Sequence, residues 1–143
     1  MPAPWLSRAG ATIVDLVIVW TPLVVVTAIG AATEDDTLGV VVIVAYLLTL
    51  AAALLYAPVL MARGGYRHGQ TLGKQALRIR VVREDGAPMT AGRGCLRELV
   101  GKVVLGVVTG GLWTIVDNLW PLGDRRRRAL HDKIASTLVV RDG

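Results

Sequence analysis

Two long apolar blocks, set close together near the start of the chain, constrain its fold more than any other feature. The first runs from Ala9 to Ala32 and is interrupted only by Asp15. The second runs from Leu38 to Ala62 and carries no charge. At ~1.5 Å of rise per helical residue, each is long enough to cross a hydrocarbon core of ~30 Å. Hydrophobic residues make up 53% of the chain and the mean hydropathy is +0.53, above the usual soluble balance. With 143 residues, one domain is expected. A cleaved leader fits the first block poorly. Its basic flank is only Arg8, its apolar run is too long, and Asp15 sits inside it, so a retained helix is expected.

Charge distribution orients the two blocks. The segment between them, Thr33-Glu34-Asp35-Asp36-Thr37, holds three acids and no base. The segment after the second block carries Arg63, Arg67, Lys74, Arg78, Arg80, Arg83, Arg93 and Arg97. Basic loops stay on the cytoplasmic side, so the N-terminus and the middle segment are expected there, with the acidic loop outside. The net charge of +5 is therefore read as topology signal and anionic-lipid contact. No nucleic-acid-binding pattern accompanies it, and no nucleic-acid partner is expected.

A third apolar region spans Leu96 to Leu122, where Lys102 and Asp117 bracket ~14 uncharged residues. That length suits a re-entrant or interfacial segment better than a crossing. A single crossing would also put Arg125, Arg126, Arg127 and Arg128 outside, against the charge rule. With a break at Thr109-Gly110-Gly111, the region (about 94–122) predicts a helical hairpin with both ends cytoplasmic. One continuous tilted span with an external C-terminus is the alternative. The expected fold is thus a mainly α membrane protein: two transmembrane helices (9–32 and 38–62), a re-entrant helical hairpin, and a small cytoplasmic β-sheet. The sheet is read from the alternation Leu77-Arg78-Ile79-Arg80-Val81 within a cytoplasmic strand region (70–92), followed by a turn at Asp85-Gly86, and from the β-branched run Ser136 to Arg141 in a basic C-terminal segment (124–143). Pro22 removes a backbone donor and is expected to kink the first helix.

Three stretches carry a family likeness. LSRAGATIVD holds an arginine and an aspartate, Arg8 and Asp15. HGQTLGKQALRIRVVREDG follows the second block, and RALHDKIASTLVV lies near the end. Together, in this order and spacing, they resemble the RDD family of bacterial membrane proteins, named for one arginine and two aspartates. The resemblance covers nearly the whole chain and makes Asp132 the second aspartate. It implies an inner-membrane protein and raises transport, including sodium/proton antiport, as the expected activity.

Arg8 and Asp15 lie two turns apart on one helix face, ~10 Å along the axis, too far for direct pairing. Arg8 is expected to snorkel to the headgroups, and Asp15 to need a partner from another helix, a wet pocket or a proton. Asp15 at the centre of a helix would cost roughly 2.5–3.5 kcal/mol, and less nearer the interface. Lys102 and Asp117 on the hairpin are the candidate companions of Asp15; the alternative puts Asp117 at the interface with Trp113 and Trp120 as belt residues. The run Gly69-Gln70-Thr71-Leu72-Gly73-Lys74 fails as a phosphate loop: it has three residues between the glycines and Gln75 after the lysine. It reads as a turn in which Gln70, Thr71 and Lys74 cap a helix or touch headgroups. His131-Asp132 is read as a pin, with Asp132 taking hydrogen bonds from nearby arginines. Arg125 to Arg128 are read as an anchor on anionic lipid. Cys95 is the single cysteine, so no internal disulfide forms, and no metal-ligand or cofactor motif is present.

Two functions fit. One is cation/proton exchange or small-solute transport, with Asp15 as carrier, Arg8 as gate and Asp117 in support. The other is an accessory protein that binds a membrane partner or anionic lipid. Few helices make a poor enclosed pathway, so transport predicts a homo-oligomer or a partner. No nucleophile is marked, and an enzyme is not expected.

Overall fold

In the computed structural model, residues 1–32 and 37–142 are described, and the expected acidic loop lies outside them. Helix α1 (Trp5–Ala31) starts four residues before the first apolar block, because Pro4 supplies an extended N-cap and Trp5 to Arg8 continue helically. Helix α2 (Thr37–Met61) matches the second block. Both are long and apolar enough to cross a membrane. Helical assignment is unbroken through Pro22 in α1 and Pro58 in α2. Their sides are largely uncovered: Val24 is 64% exposed and Leu48 is 65% exposed. In water such faces would be strongly disfavoured; in lipid they are solvated.

A small polar layer closes the end of this helix pair. Helix α3 (Leu72–Ala76) packs on α1, and strand β1 (Ile79–Arg83) pairs antiparallel with β2 (Thr137–Arg141), in the register Ile79 to Arg141 and Arg83 to Thr137. The β1 boundary corrects the expected strand. Its first two residues fall outside because Leu77 caps α3 and Arg78 has φ of 51°, outside the β region. Ser136 likewise has φ of 51° just before β2. Pro2 bridges Val140, so the N-terminus extends this sheet. Ala3, Ala11, Met61, Ile79, Val81, Met89 and Val139 form the core beneath it.

The third apolar region forms a helix, a break and a second helix. Helix α4 (Ala91–Cys95), a π-helical segment (Leu96–Val104) and α5 (Leu105–Val108) follow one another directly. Gly110 and Gly111, with φ of 60° and 89°, make the expected break, a conformation that glycine adopts without steric penalty. Helix α6 (Leu112–Leu119) then turns back: the Trp113 indole N–H donates to the Gly101 carbonyl at 2.7 Å. Trp113 is thus tied to the first half of the hairpin. Helix α7 (Leu130–Ile134) packs on the π-helical segment.

Candidate functional site

Asp15 faces the N-terminus of α3. A Cβ at position 73 would lie 2.1 Å from the Ala11 carbonyl oxygen and 2.8 Å from Asp15 Cγ, so only glycine lets α3 approach this closely. The Gly73 N–H donates to Asp15 Oδ1 at 2.7 Å. The Thr71 hydroxyl donates to Oδ2 at 2.6 Å, and the Tyr56 hydroxyl, reaching across from α2, donates to Oδ1 at 2.8 Å. Thr71 is also the N-cap of α3, accepting from the Lys74 backbone N–H. Lys74 Nζ lies 3.9 Å from Asp15 Oδ2 and donates to Thr71 Oγ1 at 3.3 Å. Burial pushes the Lys74 ammonium down to about 8, against the pull of Glu98. A cavity of about 210 Å³ opens beside this group, lined by Thr12, Asp15, Tyr56, Lys74, Glu98 and Lys102 among others.

Asp132 is the centre of a second cluster and is fully buried. Arg8 pairs with its Oδ2. Arg97 brings Nε to Oδ1 at 2.9 Å and Nη2 to the same oxygen at 2.8 Å. The Ala129 N–H adds 3.1 Å to Oδ2, capping α7. Burial alone would raise this carboxyl, but Arg97, His131 and Arg8 outweigh it and hold it well below the usual carboxylate range. His131 sits between two carboxylates. Its Nδ1 is 2.5 Å from Asp117 Oδ2, its backbone N–H donates to Asp117 Oδ1 at 2.8 Å, and its Nε2 is 3.3 Å from Asp132 Oδ1 without hydrogen-bond geometry. Burial lowers the His131 imidazolium, though Asp132 opposes this.

These positions correct several expectations. Arg8 does not snorkel, because Asp132 and the Arg127 carbonyl hold its guanidinium inside. Lys102 does not neutralise Asp15; it pairs with Glu98 at 2.7 Å, one turn earlier. Asp117 is bonded to His131 and lines no cavity with Asp15. The arginines on Asp132 are Arg8 and Arg97, distant in sequence, while the adjacent run points elsewhere. Arg128 pairs with Glu84 at 2.5 Å, so it is not a free lipid contact; Arg125, Arg126 and Arg127 are exposed. Gln70, Thr71 and Lys74 are buried and face Asp15, Ile79 and Asp142, not headgroups. Tyr56 and Glu98 were missed. Glu98 and Lys102 stand four apart, which was a readable helix pair, whereas nothing distinguished Tyr56 from Tyr46. Among the described residues, no group of three or more His, Cys, Asp or Glu is disposed to hold a metal ion.

The chain as a whole matches a known family. The RDD family model matches residues 2–136, a span that contains Arg8, Asp15 and Asp132. The chain belongs to the RDD family. It is also 30% identical over 140 residues to the uncharacterized protein YckC of Bacillus subtilis (strain 168), covering 97% of this chain and 84% of that one. No solved structure gives a significant match. For this RDD protein, family membership and the two apolar helices together indicate a membrane protein.

The linkage at Asp132 has a definite sign. Its folded carboxyl is held below its unfolded value of about 4, so its stabilisation is present above that pH and is lost as pH falls toward the folded value. The thermal stability of the detergent-purified protein should therefore fall as pH is taken below about 4. Asp132→Asn should lower stability at pH 7 by about 3–5 kcal/mol, by removing the buried carboxylate that Arg8 and Arg97 share, and should flatten part of that acid slope.

Proposed function

We propose that this RDD protein resides in the bacterial inner membrane as a multi-pass protein and exchanges protons for a cation at the Asp15–Lys74 site. In this reading α1 and α2 cross the bilayer, both termini are cytoplasmic, and the region 94–122 re-enters from the cytoplasmic side. The pairing of β1 with β2 supports the return, since the two strands of one sheet lie on one side of the bilayer. The charge rule adds the same orientation. The uncovered sides of α1 and α2 suit a homo-oligomer or a membrane partner, which would also complete a pathway.

The observation that carries the reading is the approach of Lys74 to Asp15 beside a cavity between the two long helices. With the lysine charged, its ammonium serves as the cation beside Asp15. When Lys74 gives up its proton, Asp15 faces the cavity without that cation, and a metal cation takes its place. The protonated lysine and the metal cation thus compete for one carboxylate, which is the minimum that exchange requires. Lys74, not Asp15, is then the group that carries the proton, and Arg8 is a fixed brace with no gating role.

A second reading rests on the three neutral donors already on Asp15, which join α1, α2 and α3. It makes the protein an accessory or scaffold that binds a membrane partner or anionic lipid through Arg125, Arg126 and Arg127. Proteoliposomes separate the two readings. Addition of sodium, potassium or lithium should dissipate an imposed pH gradient, more steeply as pH rises through about 8, where Lys74 becomes neutral. Folded Lys74→Gln and Asp15→Asn proteins should not respond. A correctly inserted wild type that moves no protons for any of the three cations excludes exchange by this chain alone.

A further inference from the structure

The cavity beside Asp15 is shaped for more than a bare ion. Its volume is about 210 Å³, room for roughly fifteen waters at about 10–15 Å³ each. Leu16, Val19 and Trp20 of α1 and Ala53 and Ala57 of α2 give it an apolar side. The charged side chains in its wall are Asp15, Glu98, Lys74 and Lys102. Glu98 is committed to Lys102 at 2.7 Å and to Arg97. With Lys74 charged, the wall is balanced. With Lys74 neutral, one negative charge is left, on Asp15.

Asp15 has room for one more donor. A carboxylate offers about four acceptor positions, shared between its oxygens. Oδ1 takes the Gly73 N–H and the Tyr56 hydroxyl, and Oδ2 takes the Thr71 hydroxyl. Lys74 Nζ, at 3.9 Å, is too far to hydrogen-bond Oδ2. Among the described residues Oδ2 thus keeps one position, and the Asp15 side chain is 15% exposed. An acceptor of this kind beside an apolar wall matches an ammonium head on a short hydrocarbon body. The side chain of lysine is itself such a group, an ammonium on a flexible hydrocarbon stem. A bare metal ion gains nothing from the apolar side. Each methylene buried there tightens an alkylammonium ion by about threefold to fourfold.

We propose that the exchange site takes small primary alkylammonium ions in preference to metal cations, with the ammonium on Asp15 Oδ2 and the alkyl chain along the apolar side. The proposal rests on the exchange reading and names its substrate class. Lys74 releases its proton to water as the ammonium enters, so one positive charge replaces another. A primary alkylamine, like an unperturbed lysine, stays protonated to about pH 10, so it arrives as the cation.

The test is calorimetric titration of the intact protein in detergent with n-butylammonium, methylammonium and sodium chlorides. Runs at pH 7 in two buffers of different ionisation enthalpy count the protons released. Saturable n-butylammonium binding is expected, about tenfold or more tighter than methylammonium or sodium. About one proton should leave per ion bound, since Lys74, at about 8, is charged at that pH. Folded Lys74→Gln should bind n-butylammonium without releasing a proton, and folded Asp15→Asn should not bind it. Ala53→Leu, which fills the apolar side and keeps Asp15, should bring n-butylammonium to within about threefold of methylammonium. Sodium binding with proton release, and no n-butylammonium binding, overturns the substrate class and leaves exchange standing. Binding of none of the three cations overturns both. The proposal is also overturned if n-butylammonium binds no tighter than methylammonium, binds the wild type without proton release, or binds Ala53→Leu as it binds the wild type.

Discussion

The carboxylate of Asp132 joins three distant parts of the chain. Arg8 comes from the first turns of α1, Arg97 from the π-helical segment, and Asp132 itself from α7 near the end. A buried acid of this kind is tolerable only with its cations in place, and the cations are tolerable only with the acid. The arrangement therefore fixes where the N-terminal helix, the hairpin and the C-terminal segment must meet. The β1–β2 pairing, the bridge from Pro2 to Val140 and the short α7 are arranged around that meeting point.

A second acid, Asp15, does the same work one layer away, with softer partners. Hydroxyls of Tyr56 and Thr71 and the Gly73 N–H hold it, and the cation within 4 Å among the described residues is Lys74, whose charge is weakened by burial. The contrast between the two aspartates is physical. Asp132 has two arginines, which keep their charge at any accessible pH, and so makes a permanent joint. Asp15 has a lysine, which does not, and so sits at a joint whose charge can change. The π-helical segment between them displays Arg97 toward Asp132 and Glu98 and Lys102 toward the cavity beside Asp15, and such irregular helix is common where function needs side chains re-aimed.

Much of the architecture was legible in the sequence because it rests on length and period. The two apolar blocks gave the two long helices, the glycines at 110 and 111 gave the break, and the alternation from Leu77 and the β-branched run from Ser136 gave the two strands. The pairing of charges was not legible. Arg8 and Arg97 reach Asp132 across 124 and 35 residues, and nothing in local spacing reports such contacts. Helical spacing did exclude a direct pair between Arg8 and Asp15, and the structure keeps them apart on separate partners. Lys74 stood in a glycine-rich stretch that read as a surface turn, because its burial depends on α3 packing against α1 through Gly73.

The central claim is that Arg8 and Asp132 form one interaction across the fold, and a double-mutant cycle measures it directly. Unfolding of the wild type, Arg8→Gln, Asp132→Asn and the double variant would be followed in one detergent at pH 7. The account predicts strong coupling, about 2 kcal/mol or more, with the double variant much less destabilised than the sum of the single effects. Additive losses, with coupling within about 0.5 kcal/mol, would contradict it.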